Sequence, residues 1–296
     1  MRLVTRGDLD GVTAAVLLTS MEPVTDIELI HPQDITDGKF EIRDGDLMAN
    51  LPYHPKAALW FDHHELTSSN LRPPEGYPGR HQIAPSVARV IYDYYASDKL
   101  WRFAHLVDET DRFDSAQLTR EEVLEPNGVV LLGFTIDSRT GLGRFKEYFL
   151  ELVEWLKAMP VEQVLEQPEV RRRVGLIREQ NSAFLAALRA HSRQAGNVVI
   201  TDFRDTAQAP VGNRFLVYTL FPETNISLRV QWGPEKKFAA VTLGHNIFNR
   251  TSKANCGQIC SDYGRGGHRG AGACTLEPAT VDAKIAAIVA RLQREG

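Results

Sequence analysis

Two polar motifs, each placed just after a short apolar run, constrain what this chain can fold into. Leu3-Val4 precedes Asp8-Leu9-Asp10-Gly11, and Ala57-Ala58-Leu59-Trp60-Phe61 precedes Asp62-His63-His64. Such runs read as buried strands. In an open parallel sheet, ligands sit beyond the carboxyl ends of the strands, so two strands can deliver these carboxylates and imidazoles to one point. Hard oxygen with borderline nitrogen suits Mn²⁺, Fe²⁺ or Zn²⁺. Two such ions about 3.5–4 Å apart form the usual clamp for phosphate-ester hydrolysis.

Within the first motif, Asp8 and Asp10 are two residues apart and each can bind a different ion, while Gly11 lets the backbone turn tightly into a helix. The same pattern also occurs in ordinary turns and Ca²⁺ loops. In the second, adjacent imidazoles point in different directions. One can bind metal while the other faces a substrate phosphate, with Asp62 orienting its neighbour. Near the end of the chain, Gly266-Gly267-His268 reads as a turn whose backbone N–H groups could cradle an anion, with Arg265 and Arg269 adding charge. A plain glycine-rich hairpin is the competing reading.

Strand and helix signals alternate through the first part, which argues for a parallel α/β sheet. Val12 to Leu18 reads as a buried helix, and Asp26 to Ile30 and Asp46 to Ala49 as strands. Ser86 is placed to cap a helix carrying Val87, Val90, Ile91 and Tyr94, and Thr119 with Glu122 has capping-box spacing. Arg144 to Met159 is an amphipathic helix, followed by a second from about Pro168 to Gln194. The run Arg171-Arg172-Arg173 reads as a solvated face of that helix. The last hundred residues turn to β-branched runs at Val198–Ile200, Phe215–Leu220, Ile226–Trp232 and Phe238–Leu243, then a helix from Thr280 to Arg294. The expected division is 1–140, a helical connector over 141–194, and a smaller mixed-sheet α/β domain over 195–296.

The net charge of -4, from 34 basic and 38 acidic residues, lacks the basic excess of a nonspecific duplex binder. The expected partner is a small phosphorylated substrate or a short single-stranded oligonucleotide, not a long duplex. No secretion signal and no apolar run of membrane-spanning length is visible. Cys256, Cys260 and Cys274 lack zinc-pair spacing and read as reduced structural thiols of a cytoplasmic protein. A homodimer is compatible with all of this.

The three motifs in their order resemble the DHH–DHHA1 phosphoesterases, a family of nano-RNases, bisphosphate-nucleotide phosphatases, cyclic-dinucleotide phosphodiesterases and single-strand exonucleases. The resemblance spans nearly the whole chain. It implies a catalytic domain with a parallel sheet and two divalent ions, usually Mn²⁺, and a smaller domain that closes over it and holds the rest of the substrate. Carried over by position, Asp8 and Asp10 bind separate ions, His63 is a metal ligand and His64 a phosphate contact. Asp108 best fits the family's remaining ligand, with Asp111 as runner-up, and Gly266, Gly267 and His268 grip the substrate.

Two positions depart from the pattern. Many relatives have a metal-binding His where this chain has Arg6, which cannot bind a cation but can hold a phosphate. The family's bridging Asp corresponds to Asn50, with His54 and Asp46 as nearby substitutes. Both changes fall mostly on the site built around Asp8, so one ion is expected to be held firmly and the second to be weak, absent or recruited only with substrate phosphate. The expected activity is hydrolysis of a small phosphodiester such as a dinucleotide or short oligoribonucleotide. Exopolyphosphate or bisphosphate-nucleotide hydrolysis is the alternative, and a catalytically weakened nucleotide-binding regulator is the reading from a different class.

Overall fold

Five short strands near the amino terminus form a wholly parallel sheet in a computed structural model that describes residues 1–66, 71–136 and 145–296. They are β1 (Arg2–Thr5), β2 (Asp26–Leu29), β3 (Asp46–Ala49), β4 (Ala57–Asp62) and β5 (Gly79–His81), in the order β2-β1-β3-β4-β5. Alternate residues divide between the two faces, as a pleated strand requires. Leu3, Leu47, Leu59 and Phe61 belong to one core, while Val4, Met48 and Trp60 belong to another with Ile42 and Leu51. The helix Leu9–Met21 is buried without interruption from Leu9 to Leu18. An apolar surface all round suits such a central position. Tyr148, Phe149, Leu152 and Val153 of the helix Phe145–Ala158 pack into the same core.

The strand order reverses direction between β1 and β3. Their connections leave towards opposite sides, which opens a crevice at the carboxyl ends of these strands. Thr5, Asn50 and His63 all lie at or just past the carboxyl ends of β1, β3 and β4.

The chain divides into two units, residues 1–118 with 126–177, and residues 119–125 with 178–296. The boundary expected at 140/141 lies outside the described residues. The second unit contains a six-stranded mixed sheet of β6 (Ser192–Ala195), β7 (Val198–Asp202), β8 (Ile226–Trp232), β9 (Ala239–His245), β10 (Gly266–His268) and β11 (Ala271–Leu276), in the order β10-β11-β9-β8-β7-β6. Its neighbouring strands are antiparallel except β7 and β8. Ile226, Leu228 and Val230 alternate with more exposed residues, and they share a core with Ile259 of the helix Cys256–Ser261 and Ile285, Ile288 and Leu292 of the helix Val281–Glu295.

Ser86 and the Thr119–Glu122 box cap their helices as expected. Three local readings need correction. Residues Leu216–Leu220 form a helix, not a strand. The Asn213 side chain accepts from the Phe215 amide at 3.0 Å and its carbonyl from the Leu216 amide at 3.1 Å, so an Asx turn starts the helix before β-branched propensity can act. Arg173 is not on a solvated face. Its side chain is buried, its Nε donates to Glu169 Oε1 at 2.8 Å, and its guanidinium lies 3.8 Å from the centre of the Tyr148 ring. Gly266-Gly267 belongs to an extended strand, and the chain reverses after it.

Candidate metal centre

The loop after β1 carries Arg6, Asp8 and Asp10 within five residues. A Cβ on Gly11 would lie 1.9 Å from the Arg6 carbonyl oxygen, so only glycine allows this tight entry into the helix Leu9–Met21. Asp8 caps that helix by accepting from the Gly11 amide at 2.9 Å. Asp10, near the start of the helix, is turned inward and buried. Its Oδ2 and Oδ1 accept from the amides of Val87 and Ala88, each at 2.9 Å.

After β4 the chain delivers His63 and His64. His63 Nδ1 lies 3.0 Å from the Ala84 carbonyl. A carbonyl can only accept, so Nδ1 carries the proton and Nε2 presents its lone pair. That Nε2 is buried and has no hydrogen-bond partner among the described residues, and it lies 3.6 Å from both Asp10 Oδ2 and Asp114 Oδ2. One donor atom from each of Asp10, His63 and Asp114 falls within 4.8 Å of the other two.

A lone pair facing two carboxylates is repulsive without a positive charge between them. Burial and then the charge of Asp8 push Asp10 up to about 7. Desolvation and the charges of Asp10 and Asp8 push Asp114 up to about 7 as well. Burial, then the neighbouring His64, lowers the pKa of His63, which favours the neutral form that ligates metals. An orphaned imidazole nitrogen and two crowded carboxylates fit a divalent ion with oxygen and nitrogen preferences. The Ala84 carbonyl supplies the outer contact that fixes a ligating imidazole.

His64 differs. Its Nδ1 lies 2.8 Å from Asp62 Oδ1, which also accepts from the His63 amide at 2.9 Å. Burial alone lowers the His64 pKa, but the hydrogen bond and charge of Asp62 outweigh it, so the net shift is upward. Behind it, His81 Nε2 lies 2.7 Å from the His64 carbonyl, and the His81 ring stacks on Trp60 with centroids 5.5 Å apart.

Other expected ligands stand elsewhere. The acid that the helix Ala104–Asp114 brings to the cluster is Asp114, not Asp108 or Asp111. The Asp108 side chain is 63% exposed and ion-paired with Arg89, while Asp111 accepts from Ser86 Oγ and Arg89 Nε. Asp46 sits at the opposite end of β3, where it accepts from the Arg2 guanidinium, so it cannot replace a ligand at the carboxyl edge. Asp8 is not in the cluster either. Its Oδ2 pairs with Arg6 Nε at 3.2 Å and its Oδ1 accepts from Asn50 Nδ2 at 3.2 Å. Asn50 is buried at a φ of 60°, a left-handed conformation that asparagine tolerates better than most residues.

In the second unit, β10 pairs with β11 so that Gly267 faces Gly272. A Cβ on Gly267 would meet the Ala271 carbonyl at 2.3 Å, and one on Gly272 the Cys256 carbonyl at 2.5 Å. Gly267 therefore lets β10 lie close to β11, Gly272 lets β11 lie against the helix Cys256–Ser261, and the glycines do not form the anion-cradling turn. Arg265 and His268 are exposed at the strand ends.

No protein-family model and no curated protein matches the chain. Among solved structures it is similar to the pGpG-specific phosphodiesterase PggH of Vibrio cholerae, with 35% identity over 100% of this chain and 99% of that one, and a TM-score of 0.83. It shares its fold with RecJ of Thermus thermophilus in complex with Mn²⁺, at 14% identity and a TM-score of 0.59, over 99% of this chain and 52% of that one. The DHH domain of a member of a ribosomal-protein family has the same fold, with 13% identity, a TM-score of 0.62 and coverage of 99% and 87%.

Proposed function

The chain belongs to the DHH family of phosphoesterases, and from that premise we propose that it hydrolyses a linear 5′-phosphorylated dinucleotide of the pGpG class with the help of a divalent ion. One observation carries the reading: the unpartnered Nε2 of His63, its tautomer fixed by Ala84, set against Asp10 and Asp114. The full-length similarity to a pGpG-specific enzyme supports the choice of substrate.

In this reaction a water oxygen bonds to the phosphorus of the internal diester, the P–O3′ bond breaks, and the departing O3′ takes up a proton. One dinucleotide and one water yield two 5′-mononucleotides. Asp10, His63 and Asp114 would hold the divalent ion, which would supply Lewis acidity to the phosphate and to the attacking water. Manganese suits these ligands, and the fold relative RecJ binds it. His64, whose protonated form the Asp62 hydrogen bond and charge favour, holds a non-bridging phosphate oxygen. Arg265 and His268, exposed at the ends of β10, are the side chains of the second unit that we assign to substrate phosphate, with Gly266 and Gly267 forming the strand between them. No helix among the described residues is long and apolar enough to cross a membrane, and three free buried thiols accord with a cytoplasmic setting.

The test is a Mn²⁺-dependent hydrolysis screen of pGpG, pApA, a cyclic dinucleotide, adenosine 3′,5′-bisphosphate and polyphosphate. Linear dinucleotides should be cleaved fastest, and His63→Ala should abolish turnover. Preference for polyphosphate, or equal turnover by His63→Ala, would overturn the assignment.

A further inference from the structure

Resting on this reading of the site, we infer that the Arg6 guanidinium stands where a second ion would be, so that the centre works with one divalent ion and one fixed organic cation. The sequence leads one to expect Asp8 and Asp10 to hold an ion each. In the structure only Asp10 joins His63 and Asp114, and the Asp8 carboxylate is already engaged on both oxygens. Oδ1 accepts from the Gly11 amide at 2.9 Å and from Asn50 Nδ2 at 3.2 Å, which occupies its lone pairs. Oδ2 faces Arg6 Nε at 3.2 Å. A metal ion on that oxygen would have to sit against a guanidinium that does not deprotonate.

The two departures are chemically complementary. Asp8 can only accept, so the Asn50 amide must turn its NH₂ towards it, because the reverse orientation would set oxygen against oxygen. An Asp at position 50 would instead add a negative charge there and invite a cation. With Asn at 50 and Arg at 6, the same volume holds an N–H donor and a permanent positive charge. The remaining fork of the amide, Oδ1, is buried without a partner among the described residues and stays available as a neutral oxygen donor. Arg6 is 35% exposed, so it can reach a substrate phosphate, and its charge is felt at His64. A guanidinium binds two phosphate oxygens in its plane and needs no metal supply.

The experiment counts ions on the full chain, by Mn²⁺ titration with native mass spectrometry and by electron paramagnetic resonance, without substrate. Wild type should bind one Mn²⁺ with an uncoupled spectrum. The double variant Arg6→His/Asn50→Asp should take up a second ion and develop the signature of a coupled pair. Asn50→Asp alone should do so more weakly, which guards against misfolding of the double variant. Two ions of comparable affinity in wild type, or a single ion in both variants, would overturn the inference. Arg6→Ala should retain one ion yet lose about 100-fold or more in kcat/KM, a loss of transition-state stabilisation; unchanged turnover there would also refute it. If wild type binds one ion but cleaves no dinucleotide, the substrate assignment fails while the ion count still stands.

Discussion

Asp10 closes the amino end of the helix Val87–Tyr95, its Oδ2 accepting the Val87 amide at 2.9 Å. The Ala88 amide donates to Oδ1 at the same distance, so one carboxylate serves both as a candidate metal ligand and as a helix cap. The two roles reinforce each other, since the amides fix the carboxylate while the helix end offsets its charge. Removing the side chain therefore costs more than the ion. Asp10→Ala should abolish turnover and also destabilise the metal-free protein by about 0.5–2 kcal/mol, the range for a lost cap. Asp10→Asn should abolish turnover too, but unfold at a higher temperature than the alanine variant, because one acceptor remains and the buried charge is gone. Thermal denaturation without metal separates the two, and equal melting temperatures would refute the capping role.

The crowded carboxylates predict how ion binding responds to pH. Asp10 and Asp114 both titrate at about 7 in the metal-free protein, well above the ordinary aspartate value of 3.8. A raised carboxyl pKa means that the folded state holds extra protons between about 4 and 7, so the contribution of these groups to stability is full at low pH and is lost as pH rises through 7. A divalent ion must displace those protons. Mn²⁺ affinity should therefore rise between about pH 6 and 8, with proton release visible in titrations run in buffers of different ionisation enthalpy. Flat affinity across that range would contradict the geometry.

Much of this centre is legible in the sequence, and what is missing has a common cause. A strand followed at once by Asp-Leu-Asp-Gly or Asp-His-His marks a site locally, because the carboxyl end of a parallel strand is where such residues can meet. Asp114 is not legible in that way. The helix Ala104–Asp114 carries acids at 108, 109, 111 and 114, and helical spacing alone cannot say which faces the histidine. The choice is made by Arg89, from a different helix, which engages both Asp108 and Asp111. Arg6 and Asn50 stand out as departures from the family pattern, but the contact of Asn50 with Asp8 depends on bringing β1 beside β3. Gly267 and Gly272 are similar: close approach to β11 and to the helix Cys256–Ser261 respectively, not turn chemistry, requires them.

Asp62 should control the alkaline side of the activity profile. Its Oδ1 accepts from His64 Nδ1, and its charge raises the His64 pKa against the effect of burial. If protonated His64 binds the phosphate, activity declines as pH rises through that raised pKa. Asp62→Asn removes the charge, so the decline should move to lower pH while the single-ion stoichiometry stays unchanged. A profile that does not move in the Asp62→Asn variant would show that His64 acts in its neutral form.

The sharpest discrimination lies on one helix. Asp108 and Asp114 are six residues apart on the helix Ala104–Asp114, and their side chains are 63% and 32% exposed. Their surroundings differ in kind. Asp108 meets a guanidinium already shared with Asp111, whereas Asp114 meets an imidazole lone pair and lies close enough to Asp10 to be repelled by it. An exposed ion pair of the first sort contributes about 0–1 kcal/mol. Asp108→Ala should therefore leave Mn²⁺ affinity and turnover within about twofold of wild type, a change of about 0.4 kcal/mol, because the lost ion pair is not at the cluster. Asp114→Ala removes one of three protein donors. It should cut Mn²⁺ affinity by at least about 10- to 100-fold, the loss usual for a supporting residue and a lower bound for a ligand. It should also raise the melting temperature of the metal-free protein, because the repulsion with Asp10 disappears. Weaker Mn²⁺ binding combined with a higher metal-free melting temperature is a pattern that a purely structural residue does not produce. Measuring both on both variants decides the assignment, and the reverse pattern, with Asp108→Ala losing the ion, would restore Asp108 as the ligand.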